Sequence, residues 1–333
     1  MPEYRTDPIT GRTVIIAEGR SQRPQEFASR RPSLDPQSCP FCPGHETDTP
    51  GESFAIRSDR SRPDSPGWKL RAVPNKYPAI DTGVACPESA KGVDGHPAYG
   101  RHEVLIESPR HITLTSELSA EELADVFRAT IERMRSMYAD PRIEHVLPFK
   151  NVGPSSGASL AHLHSQIIGQ PLVPPDVQWE LDRGRQYFSA HNRCMWCNLM
   201  QPERKAPVRV VLDSPRFIAF CPFASRFAYE TWVFPSDHAT RFEKTSDTDV
   251  VEFARVVHRL IGPLESLLDE PTYNYVLRSA PRVLLHDSSY HWHLQILPRA
   301  AGIAGFELGT GIHINPVAPE TAAARLRDAI GTL

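Results

Sequence analysis

The chain has 333 residues, 40% of them hydrophobic and 23% charged, with a formal net charge of −3 at pH 7. That is the profile of an ordinary globular protein of about two domains. The mild negative charge argues against the basic stripe a nucleic-acid binder needs, and no run of about 20 apolar residues is present to span a membrane. Small-molecule partners and a cytosolic location are therefore expected, because no apolar leader opens the sequence and four of the six cysteines form C-x-x-C pairs.

In chain order, Cys39-Pro-Phe-Cys42 comes first; in a reducing compartment that spacing signals a metal site or a redox dithiol before a structural disulfide. A short apolar strand is predicted over His102 to Ile106, followed by Ser108-Pro-Arg-His111. Ser119-Ala-Glu-Glu122 is a capping box, and behind it Leu123, Val126, Phe127, Thr130, Met134 and Met137 form one helical stripe. Next come a Gly/Ser-rich loop, Asn151 to Ser159, and His162-Leu-His164-Ser-Gln166, whose alternate residues share a face if the segment is a strand.

From about residue 190 the order recurs. Cys194-Met-Trp-Cys197 is followed by strands at Phe217 to Phe220 and Glu230 to Phe234, then Pro235-Ser-Asp-His238. A helix from Asp247 to Leu268 should be kinked or interrupted at Gly262-Pro263. His291-Trp-His293-Leu-Gln295 overlaps a strand from His293 to Leu297, and Pro319 to Ile330 reads as a terminal helix. The interval from lone histidine to paired histidine is 51 residues in one half (111 to 162) and 53 in the other (238 to 291). Such agreement predicts an internal duplication, with domains at 1–190 and 191–333. The predicted architecture is α+β: a mostly antiparallel sheet with helices on one side, built twice.

Zinc takes four N or S ligands, and each half offers a matching set: Cys39, Cys42, His111 and His162, then Cys194, Cys197, His238 and His291. Two zinc sites per chain are expected, with a redox dithiol as the competing reading. Cys86 and Cys221 read as small buried or half-buried residues. If His162 and His291 hold metal, His164 and His293 sit beside it with a free ring nitrogen, suited to a nucleophile or a supporting role. Only the first half carries the Gly/Ser loop whose backbone N–H groups can cradle phosphate, so the phosphate chemistry is assigned to His164 and a structural or relic role to His293.

These motifs resemble the galactose-1-phosphate uridylyltransferase family, the nucleotidyltransferase branch of the histidine-triad superfamily, over nearly the whole chain. The resemblance rests on Tyr4 to Gly11, Arg20-Ser-Gln-Arg-Pro24, Cys39 to Cys42, Val73 to Pro78, Ser108 to His111, Asn151 to Gln166 and Tyr229-Glu-Thr231. It implies a duplicated histidine-triad-like fold and double displacement: His164 takes the nucleotide from a nucleoside diphosphate sugar as a covalent adduct and passes it to phosphate or a sugar phosphate. It also implies that Gln166 donates to a phosphate oxygen and that Asn151, Gly157 and Ser159 contact phosphate. Arg20 and Arg23 would lie near the phosphates, with Asn75 on the nucleotide side. Gly305, Phe306 and Glu307 fall where the family contacts the hexose, and the family's homodimers build each site from both chains.

The sequence departs from well-known members at a second metal site made of one glutamate and three histidines. Glu180 keeps the glutamate's place, but Arg278 stands for one histidine, so Glu180 reads as a surface or salt-bridging residue. The tail, the His162-Leu-His164-Ser-Gln166 core and the second Cys pair together resemble the ADP-glucose phosphorylase branch, which transfers adenylyl groups to phosphate, so the group moved is expected to be UMP or AMP. A zinc-ribbon binding module and a nucleotide hydrolase are the competing functions; the one-sided loop disfavours the first and Gln166 the second.

Overall fold

The computed structural model describes residues 2–22, 36–57, 60–86, 95–284, 288–300 and 302–332. Its strands are β1 (Glu3–Thr6), β2 (Thr13–Ile16), β3 (Phe54–Arg57), β4 (Trp68–Pro74), β5 (Arg101–Ile106), β6 (His145–Val152), β7 (His164–Gln170), β8 (Val210–Asp213), β9 (Phe217–Phe220), β10 (Thr231–Pro235), β11 (Tyr273–Arg278), β12 (His293–Pro298) and β13 (His313–Asn315). The helices are α1 (Ala120–Tyr138), α2 (Pro175–His191), α3 (Met195–Lys205), α4 (Asp247–Leu267), α5 (Gly305–Thr310) and α6 (Pro319–Gly331).

Helix α1 begins where its capping box predicts. The Ser119 hydroxyl accepts from the Glu122 N–H at 3.2 Å, and the Glu122 carboxylate accepts from the Ser119 N–H at 2.8 Å. All six residues of its apolar stripe are buried. Helix α4 is capped likewise by Ser246, but it runs through Pro263 without the interruption its sequence suggests. Leu260, Ile261, Pro263 and Leu264 are all buried there, and their packing outweighs the roughly 3 kcal/mol that an internal proline costs a helix.

The second departure is larger. The two halves do not keep separate sheets. One ten-stranded sheet runs β3-β4-β5-β7-β6-β11-β12-β10-β9-β8, so the order β3-β4-β5-β7-β6 is repeated by β8-β9-β10-β12-β11. The halves join where β6 pairs antiparallel with β11, Val152 opposite Tyr273 and Phe149 opposite Val276. Each half would otherwise end there in an open edge of unpaired backbone groups, and joining removes both edges. Residue 190 itself falls in the last turn of α2.

Strand register divides the sheet into two faces. On one, Leu105, Ile167, Val146, Tyr275, Leu294 and Val233 pack against α1, α4 and α6 in the main core. On the other, Gln166, Phe149, Val276, Gln295 and Trp232 stand in a row across the strands, since directly paired residues point the same way. This second face carries the paired histidines. It is not helix-free, as a one-sided layer would require: Val177, Leu181, Trp196 and Met200 of α2 and α3 cover its β8–β10 end, against Ile218, Phe220 and Phe234. A separate three-stranded sheet, β1-β2-β13, brings the two chain ends together.

Candidate active site and metal centres

Cys39 and Cys42 lie in one tight turn, with the Cys42 N–H bonded to the Cys39 carbonyl at 3.2 Å. Their thiols face the ring nitrogens of two histidines brought from the ends of β5 and β7. Cys42 Sγ is 3.1 Å from His111 Nδ1, and Cys39 Sγ is 3.5 Å from His162 Nδ1. Tetrahedral zinc with its usual bond lengths sets sulfur and nitrogen ligands about 3.5 Å apart, so the spacing fits a closed four-ligand site. His162 Nε2–H donates to the Ser108 carbonyl at 2.8 Å, leaving Nδ1 unprotonated toward the thiols. Burial pushes the His162 pKa down to about 4, so the ring is neutral, as a metal ligand must be. In the second half Cys197 Sγ is 3.3 Å from both His238 Nδ1 and His291 Nδ1. In each cluster the four ligand atoms lie within 4.8 Å of one another, an arrangement that could hold a metal and that two isolated dithiols would not need.

His164 opens β7. Its Nδ1–H donates to the His162 carbonyl at 2.8 Å, so the lone pair sits on Nε2, to which nothing bonds among the described residues. Burial lowers its pKa, favouring the neutral ring. The Phe41 ring, from between the two cysteines, packs edge-on at 5.3 Å and fixes the imidazole plane. Ahead of β7, the loop predicted to hold phosphate forms a single 3-10 turn, Pro154–Ser156, between Gly153 (φ 80°) and Gly157 (φ 88°). Both conformations require glycine, and at Gly153 a Cβ would also meet the Thr272 hydroxyl at 2.5 Å. The loop is held from the other half of the molecule: the Asn274 amide donates to Asn151 Oδ1 at 2.8 Å and to the Ser156 carbonyl at 2.9 Å. A cleft opens beside it, walled by Leu114, Pro154, Leu160 and Pro271. Ser159 and Gly157 are exposed at its rim.

Gln166 lies two residues along β7 on the same face as His164. Its Oε1 accepts from His102 Nε2 at 2.8 Å and from the Asn75 amide at 3.4 Å. Asn75 therefore does reach the site, through Gln166. His102 and Asn274 were not expected there; nothing in their local sequence singles them out, and only strand pairing brings them to the site.

The second half repeats this geometry with one inversion. His293 Nδ1–H donates to the His291 carbonyl at 3.1 Å, but Nε2, the nitrogen left free in His164, accepts from the Gln295 amide at 3.0 Å. The ring is 1% exposed and lies against Phe234 in a parallel stack at 4.6 Å. Its lone pair is used inside the core, which explains a structural histidine there. Glu180 is not a surface residue. It is buried and salt-bridged, as the second of its two readings has it, accepting from Arg278 at 2.7 Å and from Tyr290 at 3.2 Å.

Four expected substrate residues are not brought to His164 within one chain. Gly305, Phe306 and Glu307 form α5, which packs on β13. Arg20 is exposed in a 3-10 turn after β2. Strand β13 is tied through Asn315 to Phe227, just before β10, and β10 is four strand positions from β7, about 19 Å across the sheet. Arg23 lies outside the described residues.

The family model for the galactose-1-phosphate uridyl transferase N-terminal domain matches residues 1–174, and a domain of unknown function (DUF4921) matches residues 106–333. The ADP-glucose phosphorylase of Arabidopsis thaliana is 36% identical over 339 residues, covering 98% of this chain and 93% of that protein. A galactose-1-phosphate uridylyltransferase of Thermotoga maritima is 26% identical, with 98% of each chain covered. Among solved structures, the Arabidopsis thaliana ADP-glucose phosphorylase with bound ADP-glucose superposes with a TM-score of 0.83 at 33% identity, covering 98% of this chain and 99% of that one.

Proposed function

The chain belongs to the galactose-1-phosphate uridylyltransferase family and is a nucleotidyltransferase, and we propose that it moves an adenylyl group from ADP-glucose to phosphate through a covalent adduct on His164. The observation that carries this reading is the free Nε2 lone pair of His164 beside a glutamine whose acceptor end is already bonded. Stronger likeness to the ADP-glucose phosphorylase than to the uridylyltransferases favours the adenine nucleotide.

In the first step His164 Nε2 forms a bond to the α-phosphorus, and the bond to the bridging oxygen breaks, its electron pair leaving with glucose 1-phosphate. The leaving group is a phosphate, so no strong general acid is required. The His162 carbonyl keeps the Nδ1 proton and bears part of the imidazolium charge as it develops. The Gln166 amide donates to a non-bridging oxygen, and the loop from Asn151 to Ser159 receives the others. An incoming phosphate then reverses the displacement, giving ADP. Cys39, Cys42, His111 and His162 would hold zinc as a closed structural site whose contribution would be rigidity in the segment leading to His164, and Cys194, Cys197, His238 and His291 would hold a second that ties α3 to the sheet. Two chains pair, and the exposed Arg20 and Phe306 of one complete the site of the other, consistent with their distance from His164 within a single chain.

Incubation with α-³²P-ADP-glucose and, separately, α-³²P-UDP-glucose, without acceptor, tests the reading. The expected result is an acid-labile label from the ADP donor, absent in His164→Asn, retained in His293→Asn, and discharged by phosphate as ADP. Label from the UDP donor alone would transfer the assignment to uridylyl chemistry. No label from either donor, or label surviving His164→Asn, sinks the mechanism, and steady release of free AMP would make the protein a hydrolase.

A further inference from the structure

We propose that His102 is the positioning residue that aims the Gln166 amide at the reacting phosphate, acting as a neutral imidazole locked in its Nε2–H tautomer. The inference deepens the transfer reading above and rests on it for its kinetic consequence, though not for its geometry. A glutamine side chain can present either its oxygen or its NH₂ group to a ligand, and only the NH₂ group stabilises phosphate oxygens. The neighbours of Gln166 decide which.

The backbone N–H of Ala79 donates to His102 Nδ1 at 3.2 Å. That nitrogen must then be unprotonated, and the ring proton sits on Nε2, which faces Gln166 Oε1 at 2.8 Å. Asn75 is oriented in the same sense: its Oδ1 accepts from the Tyr77 N–H at 2.8 Å, which turns its NH₂ toward Gln166 Oε1 at 3.4 Å; the same nitrogen lies 3.2 Å from His102 Nε2, which carries the ring proton while Nδ1 accepts and so does not accept from it. Two donors thus hold the glutamine oxygen, and the NH₂ end is left to point away from them, along the face of β7 that carries His164. Burial lowers the His102 pKa, against the raising effect of its bond to Gln166, which keeps this tautomer rather than the imidazolium.

The second half supplies the contrast. Val104 is paired with Gln166, and His102 lies two residues before it; Trp232 is paired with Gln295, and two residues before it lies Glu230. The Glu230 carboxylate is an acceptor, already bonded to Trp232 Nε1 at 3.0 Å and to the Arg226 N–H at 2.6 Å. It has no proton to offer Gln295, and there the amide turns onto His293 and blocks it. The residue two places before the paired position therefore separates a glutamine facing substrate from one facing its own histidine.

The test is a double-substitution cycle on the full chain, following single-turnover formation of the labelled enzyme from ADP-glucose. His102→Leu should slow the step about ten- to a hundredfold, the effect of a misdirected donor, while half-saturation for ADP-glucose stays within about threefold. His102→Gln, which can still present an N–H to Gln166, should recover part of the rate. In a Gln166→Ala background, His102→Leu should slow the step by less than about twofold, because nothing is left to orient. An equal loss in both backgrounds would show a merely structural role and overturn the proposal. If the wild-type enzyme forms no adduct, the transfer reading fails by itself, and ¹⁵N-histidine NMR then decides the positioning claim: His102 should show an Nε2–H tautomer whose shift moves in Gln166→Ala, and an Nδ1–H tautomer refutes it.

Discussion

Asn274 sits on β11, in the half of the molecule that does not carry His164, yet its amide makes two hydrogen bonds to the Asn151–Ser159 loop of the other half. Asn274→Ala removes both. Net hydrogen-bond contributions of about 0.5–1.5 kcal/mol each give about 1–3 kcal/mol for the pair. If that energy holds Asn151 and the Pro154–Ser156 turn in the geometry the transition state needs, it converts to a loss of about five- to 150-fold in kcat/KM for ADP-glucose phosphorolysis. The loop contributes little core, Ser155 and Gly157 being exposed, so Tm should fall by no more than about 5 °C. Asn274→Asp should be worse than alanine, since a carboxylate would face the Ser156 carbonyl and add a negative charge near the phosphates. Coupled phosphorolysis kinetics and a thermal melt on the same samples provide the assay. Activity within twofold of wild type, aspartate better than alanine, or a loss of activity that tracks a large fall in Tm would each refute the reasoning.

Lys150 and Glu107 form a fully buried ion pair, with Lys150 also 3.4 Å from the Thr115 hydroxyl. Lys150→Met should cost about 3–5 kcal/mol by stranding the carboxylate, while Glu107→Leu/Lys150→Met should restore much of the loss; a double variant that melts lower than the single one contradicts this. His145 is buried, and burial, with the Arg278 charge as a lesser cause, pushes its pKa down to about 3, against about 6.5 in an unfolded chain. The folded state therefore needs the neutral ring: this contribution is complete above about pH 6.5 and is lost as pH falls toward 3, where only the unfolded chain takes the proton. Urea unfolding at pH 7 and pH 4.5 should show a smaller acid loss in His145→Gln than in wild type, and equal losses would refute the assignment. Replacing Cys194 and Cys197 by alanine should halve the bound zinc measured by elemental analysis and lower Tm while labelling persists. The same change at Cys39 and Cys42 should remove metal and labelling together, and labelling that survives it would separate the first cluster from the chemistry.

Much of the site is legible in residue spacing because its parts are local or duplicated. The capping box of α1, the cysteine turns and the Gly153–Gly157 loop are each set by a few neighbouring residues. The two four-ligand clusters could be paired because each half repeats the same order. What escaped the sequence depends on which strands become neighbours. Nothing in Tyr273–Arg278 says that this segment will be a strand paired with β6, so the sequence did not single out Asn274. Arg278 and Glu180 are 98 positions apart, and their ion pair becomes visible only when α2 is laid on the sheet face opposite α1. Pro263 shows the opposite case: a local rule allowed an interruption, and burial along α4 carried the helix through it.

The sequence alone was enough to group eight Cys and His residues into the two sets that the fold brings together and to identify the family, since these depend on residue type and order. The tertiary structure decided that two copies share one sheet, that Gln166 and Gln295 turn opposite ways, and that His293 is spent inside the core. Hydrogen-bond direction is the physical reason. Which end of an amide or which nitrogen of an imidazole is free depends on donors and acceptors contributed by other strands, and no spacing within one segment records them.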